Sequence, residues 1–242
     1  MQYEPITRAL GRFFSGPLFM RKALYFLMDL LLLRTWHVRK ALRKIRTGLP
    51  SDAVILDAGS GMGQYSWRMG RMNPEWKITG IDINSEEVES CNLFFRRSGL
   101  AGRIGFSCSD LTEYIEPEIY DLVLSVDVME HIAEDEKVFR NFYASLKKKG
   151  MVLISTPSDQ GGSDAHGKDD ESFIGEHVRN GYGQEEIITK LSGAGFKDIS
   201  VSYTYGKPGS ISWLLSMKYP VKLLNASRIF YLFLPFYYLV AF

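Results

Sequence analysis

Cysteine is scarce: Cys91 and Cys108 are the only two in 242 residues. Their spacing matches no metal-ligand pattern and two thiols cannot build a disulfide framework, so two buried structural thiols in a reducing, cytoplasmic compartment are expected. Long apolar runs are missing as well. Ala23–Leu33 is interrupted by Asp29, and residues 229–242 give fourteen apolar or aromatic positions that include one proline. Both fall short of the roughly 20 residues that span a bilayer. No small-residue cleavage site follows the first run, which argues against a secretory signal. Repeats and low-complexity tracts are absent. Neither sign of charge dominates the whole chain, whose net charge is +1, and with 45% hydrophobic and 24% charged residues one large core needs no staples.

That balance conceals an asymmetry. Residues 1–46 hold ten Lys/Arg against two acids, Glu4 and Asp29, a charge of +8 that leaves −7 for the remainder. A basic arm on an acidic body suits an anionic partner, either a membrane surface or nucleic acid. Three regions follow from the patterning. Residues 1–50 form a basic helical arm or lid, residues 51–203 a cofactor-binding body, and residues 204–242 an apolar segment for a substrate pocket or membrane contact. In the arm, Leu18–Leu33 is apolar nearly all round, and Trp36–Arg46 is amphipathic with Val38, Leu42 and Ile45 on one face. Gly48 and Pro50 end it.

The body alternates short apolar strands with helices. Strands are expected over Ala53–Leu56, Lys77–Ile81, Ile104–Cys108, Asp121–Val126, Met151–Ser155 and Lys197–Ser202. Asn84 with Glu87 gives a capping-box-like start to a helix that runs to Arg97 and closes at Ser98-Gly99. A second helix, Glu134–Lys148, would end on Lys147-Lys148-Lys149-Gly150, placing cations and a glycine at its negative end. Alternation of this kind predicts an α/β fold, a doubly wound and mostly parallel sheet with helices on both faces. Ligands of such sheets bind beyond the carboxyl ends of the strands, where the strand order reverses.

The first motif is Val54-Ile-Leu-Asp57-Ala-Gly59-Ser-Gly61-Met-Gly63. A strand enters a turn whose glycines let the main chain approach a ligand closely. A dinucleotide site would want G-x-G-x-x-G with room for a pyrophosphate. Here the pattern is D-x-G-x-G-x-G, and an acid at the strand end would repel phosphate while suiting an ammonium and a sulfonium. Downstream, Asp82 with Ile83 ends the second strand, where a carboxylate accepts hydrogen bonds from ribose hydroxyls. Asp110 with Leu111 follows the third strand and suits the exocyclic amine of adenine. Ser125, near the end of the fourth strand, faces the same crevice.

These motifs, over residues 51–203, resemble the successive motifs of class I S-adenosylmethionine-dependent methyltransferases. The resemblance implies a Rossmann-like methyltransferase fold with S-adenosylmethionine as cofactor and S-adenosylhomocysteine as product. It also implies that main chain near Gly59 holds the methionine end, Asp82 the ribose and Asp110 the adenine. Asp127-Val-Met-Glu130-His131 is similar to the E-x-x-E-H of quinone-biosynthesis O-methyltransferases, with Asp in place of the first Glu. In those relatives carboxylates and His hold a divalent cation; here a metal on Asp127, Glu130 and His131 is the less favoured reading, beside His131 as the base that takes the acceptor's proton or a purely loop-shaping pair.

The loop Pro157–Gly183 is too long to be idle in a compact domain. It contains His166 and the stretch Gly175-Glu-His177-Val-Arg179-Asn-Gly-Tyr182, which resembles the acceptor-pocket border of small-molecule relatives. Arg179 and Tyr182 are thereby candidate substrate contacts and His177 a second candidate base, with lid-anchoring polar contacts as the alternative. The fourth strand departs from the Asn/Asp-Pro-Pro-aromatic box of enzymes that methylate base amines, and neither cysteine stands where a cytosine C5 nucleophile is needed, so nucleic acid ranks below a small acceptor. The basic arm and aromatic C-terminal run suggest a lipophilic acceptor at an anionic membrane, with a helical lid packing over the crevice and its own apolar tail as the equal alternative. A His near the crevice points to methylation at oxygen. The rivals are a nicotinamide-dependent oxidoreductase, which shares the sheet without the glycine spacing, and a non-catalytic nucleoside-binding module.

Overall fold

A computed structural model describes residues 17–160, 178–179, 181–204, 206 and 219. The apolar segment expected over residues 204–242 therefore lies almost wholly outside the described residues. Two compact units divide after Lys22, before Ile45 and after Val201.

The larger unit is built on a five-stranded sheet of β1 (Val54–Ala58), β2 (Lys77–Asp82), β3 (Ile104–Cys108), β4 (Tyr120–Val126) and β5 (Leu146–Ser155). Every pairing is parallel and the order is β3-β2-β1-β4-β5. Strands covered on both faces must be apolar without alternation. Accordingly Ile55, Leu56, Leu122, Val123 and Leu124 are all fully buried. Helices α3 (Gln64–Met72), α4 (Ser85–Arg97), α5 (Asp135–Ser145) and α6 (Gln184–Gly193) connect or follow the strands. The order reverses between β1 and β4, which opens a crevice at their carboxyl ends.

Two apolar clusters hold the layers together. Leu56, Ile81, Val123, Val138, Phe139, Phe142 and Leu191 pack in one. In the other, Phe95 stands edge-on to Phe94 and tilted against Phe106, with centroids 5.2 and 4.9 Å apart. Burying a ring such as that of Phe95 contributes about 2–3 kcal/mol before the aromatic geometry is added. Local signals agree with the packing at α4, where the Asn84 side chain accepts the amides of Glu86 and Glu87 at 3.0 and 3.3 Å and Gly99 leaves the helix at φ 73°.

Three expectations are corrected. Helix α5 stops at Ser145, and residues 146–150 form an irregular start to β5, with a register shift opposite Tyr120/Leu122 and φ 69° at Lys149. Leu146 is buried in the core as a strand residue, and Lys147 reaches Asp121 at 2.7 Å, so tertiary contacts override the helical preference of the lysines. Lys197–Ser202 is not a strand: Asp198 takes φ 55°, which breaks an extended run, although Ile199 and Val201 still pack against the core. Cys91 is buried, but Cys108 is exposed at the end of β3.

Helices α1 (Leu18–Leu31) and α2 (Leu33–Ile45) meet at Leu32. Beyond Lys22 they belong to the smaller unit. There Trp36 folds back so that its indole N–H donates to the Asp29 carbonyl at 2.8 Å, while Val38 and Leu42 are buried. Among the described residues no helix is long and apolar enough to cross a membrane.

Candidate functional site

The turn after β1 is lashed to the end of β2. The amides of Gly59 and Ser60 both donate to the Ile81 carbonyl, at 2.8 and 2.9 Å. Gly59 sits at φ 74° with a Cβ position only 2.2 Å from Val128 Cγ2, so no side chain fits there. Gly61, at φ 47°, is different: a Cβ would meet nothing within 4 Å. Its amide donates to Asp82 Oδ2 at 2.7 Å, which fixes the turn while leaving its outer face open. Gly63 then caps α3.

Asp57 lies beneath this turn, 2% exposed, and accepts the Ser66 hydroxyl at 2.6 Å. Burial pushes its carboxyl up to about 7 against the pull of the Ser66 hydrogen bonds, and the nearby Asp82 charge raises it further. Asp82 is also buried, and its second oxygen accepts the Asn84 amide at 2.9 Å. A carboxylate has about four acceptor sites, so two main-chain bonds leave capacity for a ligand's hydroxyls. Ile83 beside it is 48% exposed, an apolar surface at the crevice edge.

The other expected residues occupy mixed positions. Asp110 is exposed and accepts the Thr112 amide at 2.8 Å. Leu111 is buried in the core cluster, and its carbonyl is taken by Asn141. Ser125, paired with Ala58 across β1 and β4, is fully buried with no hydrogen-bond partner for its hydroxyl among the described residues. After β4, Asp127 adopts φ 51°, a left-handed conformation rare outside glycine.

Glu130 and the half-buried His131 follow in a short 3-10 turn. Glu130 accepts the Thr156 hydroxyl at 3.1 Å, and its carbonyl takes the Val178 amide. Among the described residues no three His, Cys, Asp or Glu side chains converge as a metal-holding group.

Arg179 and Tyr182, the candidate substrate contacts, both reach Asp135. Arg179 pairs with Asp135 and donates to the carbonyls of Ile132 and Ala133. The buried Tyr182 hydroxyl donates to Asp135 at 2.7 Å, and Lys190 reaches the same carboxylate at 2.7 Å. Burial alone would raise Asp135, but hydrogen bonds from Lys190 and Tyr182 and the Arg179 charge hold it below the usual carboxylate range. The ends of the long loop are also stitched together, Tyr182 N to Pro157 O at 3.0 Å and Asp159 N to Tyr182 O at 3.2 Å. His166 and His177 lie outside the described residues. Asp135 itself carries no local mark beyond being an acid in a helix's first turn, which is why the sequence does not single it out. Nor does anything local mark Arg21 and Cys91, which also reach the glycine turn.

The assembled crevice combines an open glycine face, two buried acids and an apolar rim. That acceptor set suits a ligand carrying hydroxyls and positive charge better than a pyrophosphate, which the Asp82 carboxylate would repel.

A family model described as a methyltransferase domain matches residues 49–195. A ubiquinone biosynthesis O-methyltransferase of Rickettsia prowazekii is 27% identical over 106 residues, 44% of this chain and 40% of that protein. Phosphoethanolamine N-methyltransferase 1 of Triticum aestivum is 30% identical over 156 residues, 62% of this chain and 30% of that one. The chain thus matches less than half the length of these curated relatives. In fold it is similar to Haemonchus contortus phosphoethanolamine N-methyltransferase 2, solved with S-adenosyl-L-methionine, at a TM-score of 0.65 and 22% identity over 81% of this chain and 44% of that one. With the family match covering more than half of its residues, the chain belongs to the class I S-adenosylmethionine-dependent methyltransferases.

Proposed function

We propose that this chain binds S-adenosylmethionine at the carboxyl ends of β1, β2 and β4 and transfers its methyl group to oxygen of a small, lipophilic acceptor. The observation that carries the cofactor half is the Gly61 amide held by Asp82 beneath an open Cα face. Asp82 would take the ribose hydroxyls, Ile83 one face of the base, and Asp110 its amine. The cofactor supplies a methyl already activated on a sulfonium. What remains for the protein is to orient the acceptor, exclude water and remove a proton. His131, half-buried after β4, is the group proposed to receive that proton from an acceptor hydroxyl and release it to solvent.

Oxygen is favoured by His131 and by the name of the rickettsial relative. The wheat relative's name raises a second reading, an aminoalcohol phosphate methylated at nitrogen. Arg179, the loop guanidinium suited to such a phosphate, is instead committed to Asp135. A lipophilic acceptor at an anionic membrane is supported within the smaller unit, where exposed Phe26, Leu27, Leu30 and Trp36 stand on the same helix pair as exposed Lys40, Arg43 and Lys44. Such contact would place the protein at the cytoplasmic face of a membrane.

Mass spectrometry of membrane lipid extracts incubated with the protein and deuteromethyl-labelled cofactor tests the proposal. A labelled phenolic or quinone-like product is expected. Label confined to phosphoethanolamine or to nucleic acid overturns the acceptor class, and a calorimetric titration without heat overturns the cofactor.

A further inference from the structure

We infer that Arg21, outside the residues matched to the family, is a positioning residue that latches the glycine turn from the side of helix α4 by holding the Met62 carbonyl and the Cys91 thiol. Arg21 is 5% exposed. Its Nη2 donates to Met62 O at 2.7 Å and to Cys91 Sγ at 3.1 Å, and its Nη1 donates to Ser90 Oγ at 2.7 Å. Cys91 passes the contact on, donating its S–H to the Gly61 carbonyl at 3.3 Å. The guanidinium also lies over the Phe94 ring, 5.1 Å from its centroid.

The arrangement holds the Gly61-Met62 segment from two sides. The Gly61 amide is held from the sheet side by Asp82, and the Gly61 and Met62 carbonyls are held from the helix side by Cys91 and Arg21. A turn of left-handed glycines has many accessible conformations, so fixing it beforehand removes an ordering cost from ligand binding. Arginine suits this task because its planar fork serves three acceptors at once, which a lysine ammonium on a flexible stem does less well. Coupling is reciprocal: a ligand that orders the turn also holds the arm's residues 17–22 against the body.

The inference rests on the proposed cofactor site, and its test separates the two. The full chain, Arg21→Met and Arg21→Lys are titrated with S-adenosylmethionine and with S-adenosylhomocysteine, while amide exchange is followed over residues 58–66. Arg21→Met should weaken both ligands by about 10-fold or more, as expected for lost charged hydrogen bonds. It should also quicken exchange at residues 60–63 and leave the β1 and β4 amides unchanged. Arg21→Lys should recover part of both effects, and donor KM should rise while kcat moves by less than about twofold. In the unmutated chain, the donor should slow tryptic cleavage after Lys22. Unaltered affinity and exchange in Arg21→Met, or exchange quickened equally in all strands, overturns the latch. Absence of heat with the unmutated chain overturns the cofactor site, and the exchange comparison still decides whether Arg21 orders the turn.

Discussion

Ser66 donates its hydroxyl to Asp57 at 2.6 Å beneath the glycine turn, joining the end of β1 to the helix that the turn opens. The carboxyl titrates near 3.8 when unfolded and is pushed up to about 7 by burial in the native state. Between these values the folded chain binds more protons at this site than the unfolded one. Its contribution to stability is therefore present below about pH 4 and is lost as pH rises through about 7. Asp57→Asn mimics the protonated form. The variant should gain on the unmutated chain by up to about 4 kcal/mol between pH 4 and pH 8. Urea denaturation of both chains across that range measures the difference; parallel pH profiles would show that Asp57 is not a buried titrating group.

Asp82 holds two main-chain amides and retains acceptor capacity toward the crevice. Asp82→Ala should weaken S-adenosylmethionine binding by about 1–3 kcal/mol through loss of charged hydrogen bonds. Calorimetry at a temperature well below the variant's Tm reads this directly. Unchanged affinity excludes Asp82 from the site.

Gly59 and Gly61 should respond differently to the same substitution. Alanine at Gly59 collides with Val128, adding an overpacking cost to that of a left-handed alanine, together about 2–4 kcal/mol. Val128→Ala should recover part of that loss. Alanine at Gly61 meets open space, so only the backbone term of about 1–2 kcal/mol remains. Its methyl group instead enters the space proposed for the ligand. Gly61→Ala should thus keep most of its stability and lose cofactor affinity, whereas Gly59→Ala should fail first in thermal denaturation. Equal stability losses would contradict the difference in free space around the two glycines.

How far these features could be read beforehand depends on how local their causes are. Doubly buried strands betray themselves as apolar runs, and Asn84 caps its helix from two and three residues away. The glycine turn and its flanking acids are likewise contiguous or repeat at strand ends. By contrast, Leu146 leaves its helix because burial rewards a strand there, and Asp198 breaks an extended run by a single left-handed residue. Neither event has a periodic signature. Arg21 meets partners 41 to 70 residues away, and Arg179 meets Asp135 across 44. Motif reading sees a guanidinium near a loop; only the folded chain shows which carboxylate holds it.

Asp135 is the residue on which that last point turns. Its carboxylate is 5% exposed and takes Arg179 and Lys190, themselves 17% and 19% exposed, together with the Tyr182 hydroxyl. Replacing the carboxylate by a neutral amide keeps one acceptor oxygen but leaves two poorly solvated cations without their shared counter-charge. Asp135→Asn should cost about 2–3 kcal/mol, toward the lower end for a broken buried pair because both cations keep some solvent. The folded carboxyl is depressed below its ordinary 3.8, so its stabilisation is present above that value and lost as pH falls below it. The gap between Asp135→Asn and the unmutated chain should therefore be constant from pH 5 to 8 and narrow below about pH 4. Because Tyr182 pairs with Pro157 and Asp159, the variant should also quicken amide exchange at Asp159 and Tyr182. A variant as stable as the unmutated chain, with exchange at Asp159 and Tyr182 unchanged, would show that the Asp135 cluster does not hold this part of the fold together.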